Sequence, residues 1–325
     1  MKAAMLIVVS WFVLSCGGAA SPPAAAGGST STANNPFAGE TLYVDTQSQA
    51  AYAVGRADND EDAALLRKIA ETPQADWLGE WSGAVEPAVK GYVDAAASEG
   101  KLRVMIVYNI PHRDCGQYSK GGKADGTRYL AWIDGIAKGI GDRKAVLVLE
   151  PDALGQLDTC LSDADQKARL EMMREAVARL KQNPGTSVYI DAGNANWVDA
   201  DDMAKRLEGA GIAAADGFAL NVSNYVATDK TVAYGEEISN ALGGNVPFVI
   251  DTSRNGQGEA PKKAWCNPPG RGLGAVPTAE TGNPLVHAFL WLKRPGESDG
   301  TCNDGPPAGA WFEEQALELS RNARM

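Results

Sequence analysis

Histidine is nearly absent from this chain: His112 and His287 are the only two in 325 residues, and no CxxC pair accompanies them. A zinc-type centre needs several imidazole or thiolate ligands at close spacing. The sequence offers no such set, so neither a metal nor another cofactor is expected. Positive charge is also scarce. Lys and Arg number 30 against 41 Asp and Glu, a formal net charge of −11. Binding a phosphate backbone needs clustered cations, so nucleic acid is excluded as a partner. No long like-charge run occurs, which leaves a solvated acidic surface. A neutral polymer is compatible with such a surface but is not selected by it. No glycine-rich GxGxxG turn follows the first apolar run, which argues against an open dinucleotide-binding sheet. No repeat of 20–50 residues stands out either.

What is present begins with an export signal. Lys2 precedes an apolar stretch from Ala3 to Leu14 that is too short to span a bilayer comfortably. It ends at Val13-Leu14-Ser15-Cys16 and resembles a bacterial lipoprotein signal with Cys16 as the lipid-bearing residue; ordinary secretion is the alternative. Residues 17–35, rich in Ala, Gly, Pro, Ser and Thr, read as a flexible tether. The expected organisation is therefore a signal at 1–16, a linker at 17–35 and a catalytic domain at 36–325. An exported, monomeric protein is expected, either on the cell surface or secreted. Setting Cys16 aside leaves Cys115, Cys160, Cys266 and Cys302, an even number that favours two disulfides. Three pairings are possible, and spacing does not choose among them.

From Pro36 onward, short apolar runs alternate with amphipathic stretches. The runs are 41–44, 103–108, 145–150, 187–191, 217–221, 247–251 and 287–292. Helical periodicity covers 86–98, 129–139, 163–181 and 230–242, and a further helix is expected from Ala310. The alternation predicts an α/β fold, a distorted (β/α) barrel with about seven parallel strands. In such a barrel, chemistry gathers where strands end. Here the runs end in Tyr108, Glu150 and Asp152, Asp191, Asn221, Asp251 and Lys293, with Asp114, Asn224, Arg254, Glu297 and Asp299 just beyond. Any one of these could be a helix cap, but so many polar groups on one rim point to an acid/base site. Trp132, Trp291 and Trp311 lie in regular patterns and are expected in the core. Trp77, Trp81, Trp197 and Trp265 lie in loop-like sequence, where flat aromatic faces suit sugar rings.

Seven segments in order resemble glycoside hydrolase family 6, the inverting cellulases. They are Tyr108–Cys115, Leu149–Leu154, Tyr189–Gly193, Gly217–Asn224, Asp251–Gly256, Trp265–Pro268 and Lys293–Gly300. The resemblance implies Asp152 as general acid, Asp114 as the neighbour that helps hold the acid's proton, and Asp299 as the proposed base. It implies Tyr108 against the sugar ring at the cleavage point, and Lys293 and Glu297 as substrate partners. It also implies Arg254 paired with Asp299, and Asp191, Asn221 and Asn224 as polar groups of the cleft. Trp197 and Trp265 become stacking platforms, with Trp77 beside them. The cysteines pair as Cys115–Cys160 and Cys266–Cys302. The substrate implied is a β-1,4-glucan. Asn194 and His287 depart from the family pattern, which often has histidine and aspartate there.

Chemistry supports the same assignment. The acid must stay protonated near neutral pH, above the ordinary aspartate value of about 3.9. A second carboxylate and burial achieve that, provided the strands before Asp114 and Asp152 are neighbours. An Asp299 paired with Arg254 would be a poor base, and water ending at Asp114 is the substitute. A glycine-containing loop leaves Asp299 expected to move. Only the short segment 300–309 follows Asp299 before the last helix, too little to roof the cleft, so internal cleavage is expected over a chain-end mode. A non-catalytic glycan-binding protein is the rival from another class.

Overall fold

The computed structural model describes residues 35–325 together with Met1. The export signal, Cys16 and the tether up to residue 34 lie outside the described residues.

Seven strands form one all-parallel sheet in sequence order: β1 (Asp76–Leu78), β2 (Arg103–Val107), β3 (Ala145–Leu149), β4 (Thr186–Asp191), β5 (Gly217–Leu220), β6 (Phe248–Asp251) and β7 (Val286–Leu290). Among the described residues, eight α-helices accompany them: α1 (Gln49–Val54), α2 (Asp60–Ala70), α3 (Val85–Ser98), α4 (Gly126–Ile140), α5 (Asp163–Leu180), α6 (Ala200–Gly209), α7 (Thr228–Ala241) and α8 (Glu313–Arg321). The sheet curls into the expected distorted barrel. Between β7 and β1 no ladder forms. Instead the Ala75 N–H bonds the Trp291 carbonyl at 2.9 Å, and Arg294 from the β7 side reaches Asp76, which also pairs with Arg103.

The strands alternate between two cores, as a pleated ribbon must. On β2 and β3, Val104, Ile106, Val146 and Val148 point into the barrel with Tyr189, Ala219, Val249 and Leu290. Met105, Val107, Leu147 and Leu149 point outward against Val89, Ile133, Ile136, Val177 and Leu180 of the helices. Both faces are thus dry, which is why these strands read as unbroken aliphatic runs. Phe37 closes the floor of the barrel, its ring 6.0 Å from that of Tyr189. His287 is also packed there, as its place at a strand start suggests, with Nδ1 2.7 Å from the Tyr189 hydroxyl.

One expected strand is corrected. Residues 41–44 make only a single bridge, Leu42 to Leu102, and do not join the sheet. Their place is taken by β1, whose three residues Asp76-Trp77-Leu78 are too short and too polar to show a pattern. Helices α1, α2 and α6 also lie outside the expected set. Ser48 and Asn59 cap α1 and α2 by accepting from Ala51 and Asp62 N–H groups.

Candidate active site

The C-terminal ends of the strands open into a cleft of about 830 Å³. Its lining includes Asp114, Asp152, Lys293, Glu297 and Asp299, with Trp77, Trp81, Trp197 and Trp265 along its length. Trp197 and Trp265 are 40% and 41% exposed, enough free face for a ring to stack on. Trp77 is half-buried. Its indole N–H bonds the Leu292 carbonyl at 2.9 Å, and its ring meets Tyr108 edge-on at 5.3 Å.

Asp152 leaves β3 by way of Glu150 and Pro151. Both acidic residues take left-handed backbone, with φ of 51° and 69°, a conformation costly for a side-chain-bearing residue unless its surroundings hold it. The Asp152 N–H donates to Asp191 Oδ2 at 3.0 Å, and the Tyr108 hydroxyl donates to Asp152 Oδ2 at 3.4 Å. Burial first, and then the negative charge of Asp114, push the Asp152 carboxyl up to about 7, against the Tyr108 bond. Asp299 adds to the same push.

Asp114 follows β2, the neighbour of β3, so the two carboxylates arrive side by side. Its Oδ2 accepts the Ser119 N–H at 2.7 Å, and its Oδ1 accepts Gln156 Nε2 at 3.3 Å. Gln156 lies one turn beyond Asp152, so one amide links the two acids' loops. The Cys115–Cys160 disulfide, with Cα atoms 5.7 Å apart, links them again. Burial raises the Asp114 carboxyl above its ordinary value, opposed by the Ser119, Gln156 and Arg113 contacts.

Asp299 is the opposite case. Its Oδ2 accepts Arg254 Nη1 at 2.9 Å, the Asn267 N–H at 3.0 Å and the Tyr225 hydroxyl at 3.3 Å, while Lys293 Nζ lies 3.5 Å from Oδ1. Burial alone would raise its carboxyl. The Arg254 and Lys293 cations outweigh burial and hold it below the ordinary value. In this structure Asp299 is held by these partners, with the Cys266–Cys302 disulfide beside Asn267.

Three expected cleft residues sit elsewhere. Asp191 is 1% exposed and uses Oδ2 to hold the Asp152 and Gly193 N–H groups. Asn221 is fully buried and braces Val226 and the Asp251 carbonyl. Arg254 is fully buried and meets the site through Asp299 and through the carbonyl of Ser223 in the cleft lining. Asp191 Oδ2 and the Asn221 amide are taken up by backbone groups, whereas Asp191 Oδ1 and Arg254 Nε have no hydrogen-bond partner among the described residues. Asn224, Glu297 and Lys293 do line the cleft, as does Asn194.

Several contributors lie outside the expected site residues. Arg113 bonds Glu80, the Tyr108 carbonyl and the Ser119 carbonyl, and stacks on Trp81 and Tyr108 at 5.0 Å each. Gln49 of α1 reaches Glu297 at 2.9 Å across 248 residues of chain. Tyr118 faces Trp265 at 6.0 Å. Of these, only Arg113 sits inside a recognisable segment, next to Asp114.

A parallel barrel with a carboxylate-lined, tryptophan-flanked cleft defines the class, and comparison with known proteins narrows it. The profile of the glycosyl hydrolases family 6 matches residues 37–323, and the chain belongs to that family. It is 46% identical over 285 residues to Endoglucanase A of Cellulomonas fimi, an alignment covering 87% of this chain and 61% of that relative. This chain therefore spans about three-fifths of that relative's length. Endoglucanase 1 of Streptomyces halstedii is 43% identical, with 86% of this chain and 88% of the relative covered. Among solved structures, the endoglucanase Cel6 from Mycobacterium tuberculosis, in complex with methyl-cellobiosyl-4-deoxy-4-thio-β-D-cellobioside, superposes with a TM-score of 0.84. It is 46% identical over 89% of this chain and 99% of that one.

Proposed function

We propose that this protein is an endo-1,4-β-glucanase that hydrolyses internal bonds of cellulose or a related β-glucan with inversion at the anomeric carbon. The observation that carries the reading is Asp152: an acid poised at about 7, in an open cleft, beside a second carboxylate and between tryptophan faces.

The chemistry follows from the three acidities. Asp152 starts protonated and gives its proton to the glycosidic oxygen as the bond to the anomeric carbon breaks. A water attacks the opposite face of that carbon. Asp299, kept anionic by Arg254 and Lys293, is a weak base and instead steadies the positive charge developing on the sugar ring. The attacking water's proton passes along intervening water to Asp114, whose burial makes it the more basic of the two remaining carboxylates. One proton leaves Asp152 and one arrives at Asp114, so the pair regains its starting state by a single internal transfer. Tyr108, beside Asp152, crowds the ring at the cleavage point.

Internal cleavage is supported by the pinned rims. Segment 300–309 is short, and the Asn267 bonds to the Gly300 and Cys302 carbonyls tie down its start. We place the enzyme outside the cytoplasm, where two disulfides persist, as a monomer that is either secreted or held by a lipid on Cys16. Proton NMR of early products from a soluble β-1,4-glucan is expected to show α-anomers, with viscosity falling faster than reducing ends appear. β-Anomers would overturn inversion, and the absence of any released sugar would overturn the enzyme.

A further inference from the structure

Two of the exposed tryptophans, Trp197 and Trp265, sit on different loops, and one polar cluster joins those loops. Trp197 lies over Gly155, where an added Cβ would come within 2.6 Å of the indole ring. Its neighbour Asn196 donates from Nδ2 to Glu259 Oε2 at 2.6 Å. Lys230, at the start of α7, donates to Asn196 Oδ1 at 2.6 Å and to Glu259 Oε1 at 2.8 Å. Glu259 opens the strap that carries Lys263 and Trp265 into the cleft.

That strap has little else to hold it. Residues 261–265 are all exposed. Lys262 and Lys263 both take left-handed backbone, with φ of 58° and 56°, so the segment is strained and needs external ties. It has one at each end. Arg271 grips the Gly258 and Glu259 carbonyls at 2.8 and 2.9 Å beside the Glu259 cluster, and the Cys266–Cys302 disulfide closes the other end.

We propose that Lys230, Glu259 and Asn196 form a clasp that fixes the separation of the Trp197 and Trp265 platforms, and so sets how tightly this part of the cleft grips a glucan chain. The inference rests on the glucan reading above. Lys230 and Glu259 are positioning residues: neither lines the cleft, and they act through the strap. Their ion pair is partly exposed, so salt screens it and weakens the clasp.

The test uses Glu259→Gln and Lys230→Met in the full chain. With Asp152→Asn as background, each is expected to bind a soluble β-1,4-gluco-hexasaccharide about threefold more weakly by calorimetry, a size set by a part-exposed ion pair. The double variant is expected to lose less than the sum of the two single losses, because both remove the Lys230–Glu259 pair. In the active background, kcat on soluble glucan stays unchanged. Trypsin is expected to cut after Lys262 and Lys263 faster in Glu259→Gln than in the parent, with or without sugar. Parent-like affinity in Glu259→Gln overturns the clasp whatever the cleavage rate. A parent that binds no β-1,4-oligosaccharide overturns the glucan reading instead, and faster tryptic cleavage in Glu259→Gln then still supports the strap's dependence on Glu259.

Discussion

Three aspartates with the same intrinsic chemistry leave this fold with three different acidities. Asp152 is raised by burial and by Asp114; Asp114 is raised by burial but tempered by hydrogen bonds; Asp299 is lowered by two cations. What differs is the company each side chain keeps, and a composition cannot report that. Asp152→Asn is expected to lower kcat by about 10²–10⁴-fold, the range for a lost general acid, with an unchanged far-UV spectrum. The variant also has a pH signature. Asp152 has a folded-state value of about 7 against an ordinary 3.8. Between those values the folded protein binds the extra proton, so stability falls as pH rises. The cost is complete above about 7. Thermal melts at pH 8 are therefore expected to show Asp152→Asn more stable than the parent, and at pH 3.5 nearly equal to it. In the parent, activity falls as pH rises through about 7, because the acid is lost.

At the scale of elements, strand ends hold their neighbours' loops. Glu150 closes β3 and accepts the Asn109 and Ile110 N–H groups of the loop after β2 at 2.9 and 3.0 Å. Asp191 closes β4 and holds the turn after β3 through Asp152. Asp251 closes β6 and holds Ser223 after β5 and Lys293 after β7 at 3.0 and 2.9 Å. Each carboxylate fixes the loop that presents a cleft residue. Glu150→Ala would orphan two buried N–H groups and leave a void. A loss of about 2–4 kcal/mol is expected by denaturant titration. Glu150→Gln keeps an acceptor for both and is expected to stay close to the parent.

The same elements show what pattern reading reaches. Strands β2 to β7 begin and end within a residue or two of their aliphatic runs, because burial on both faces leaves no room for polar alternation. Strand β1 is invisible, since Asp76 serves a buried pair with Arg103 and only Leu78 is a fully buried aliphatic. Asp191 and Asn221 have the side chains of a sugar site, and only their burial shows that they serve backbone. Trp197 and Trp265 lie exposed in the cleft because loops, unlike strands, can leave a large ring half bare.

For the molecule as a whole, the two disulfides stand on the cleft's rims: Cys115–Cys160 beside Asp114 and Cys266–Cys302 beside Asp299. They span 45 and 36 residues, and loops of that length give about 3–4 kcal/mol each in the chain-entropy view. Replacing Cys115 and Cys160 together by Ser is expected to lower Tm and also kcat, since the Asp114 loop loses a tie. Replacing both and finding the parent's kcat would place the disulfide outside the catalytic architecture.

Strands β2 to β7, the α/β alternation and the family were legible in the linear chain, as were Asp114, Asp152 and Asp299 as candidates. Local patterning and short motifs survive without a third dimension. Their division of labour was not present. Which carboxylate keeps its proton, which loses it, and which strand-end acids face backbone instead of the cleft depend on charges and burial supplied by segments far apart in sequence. Electrostatic energy depends on distance through space, and only the folded barrel sets those distances.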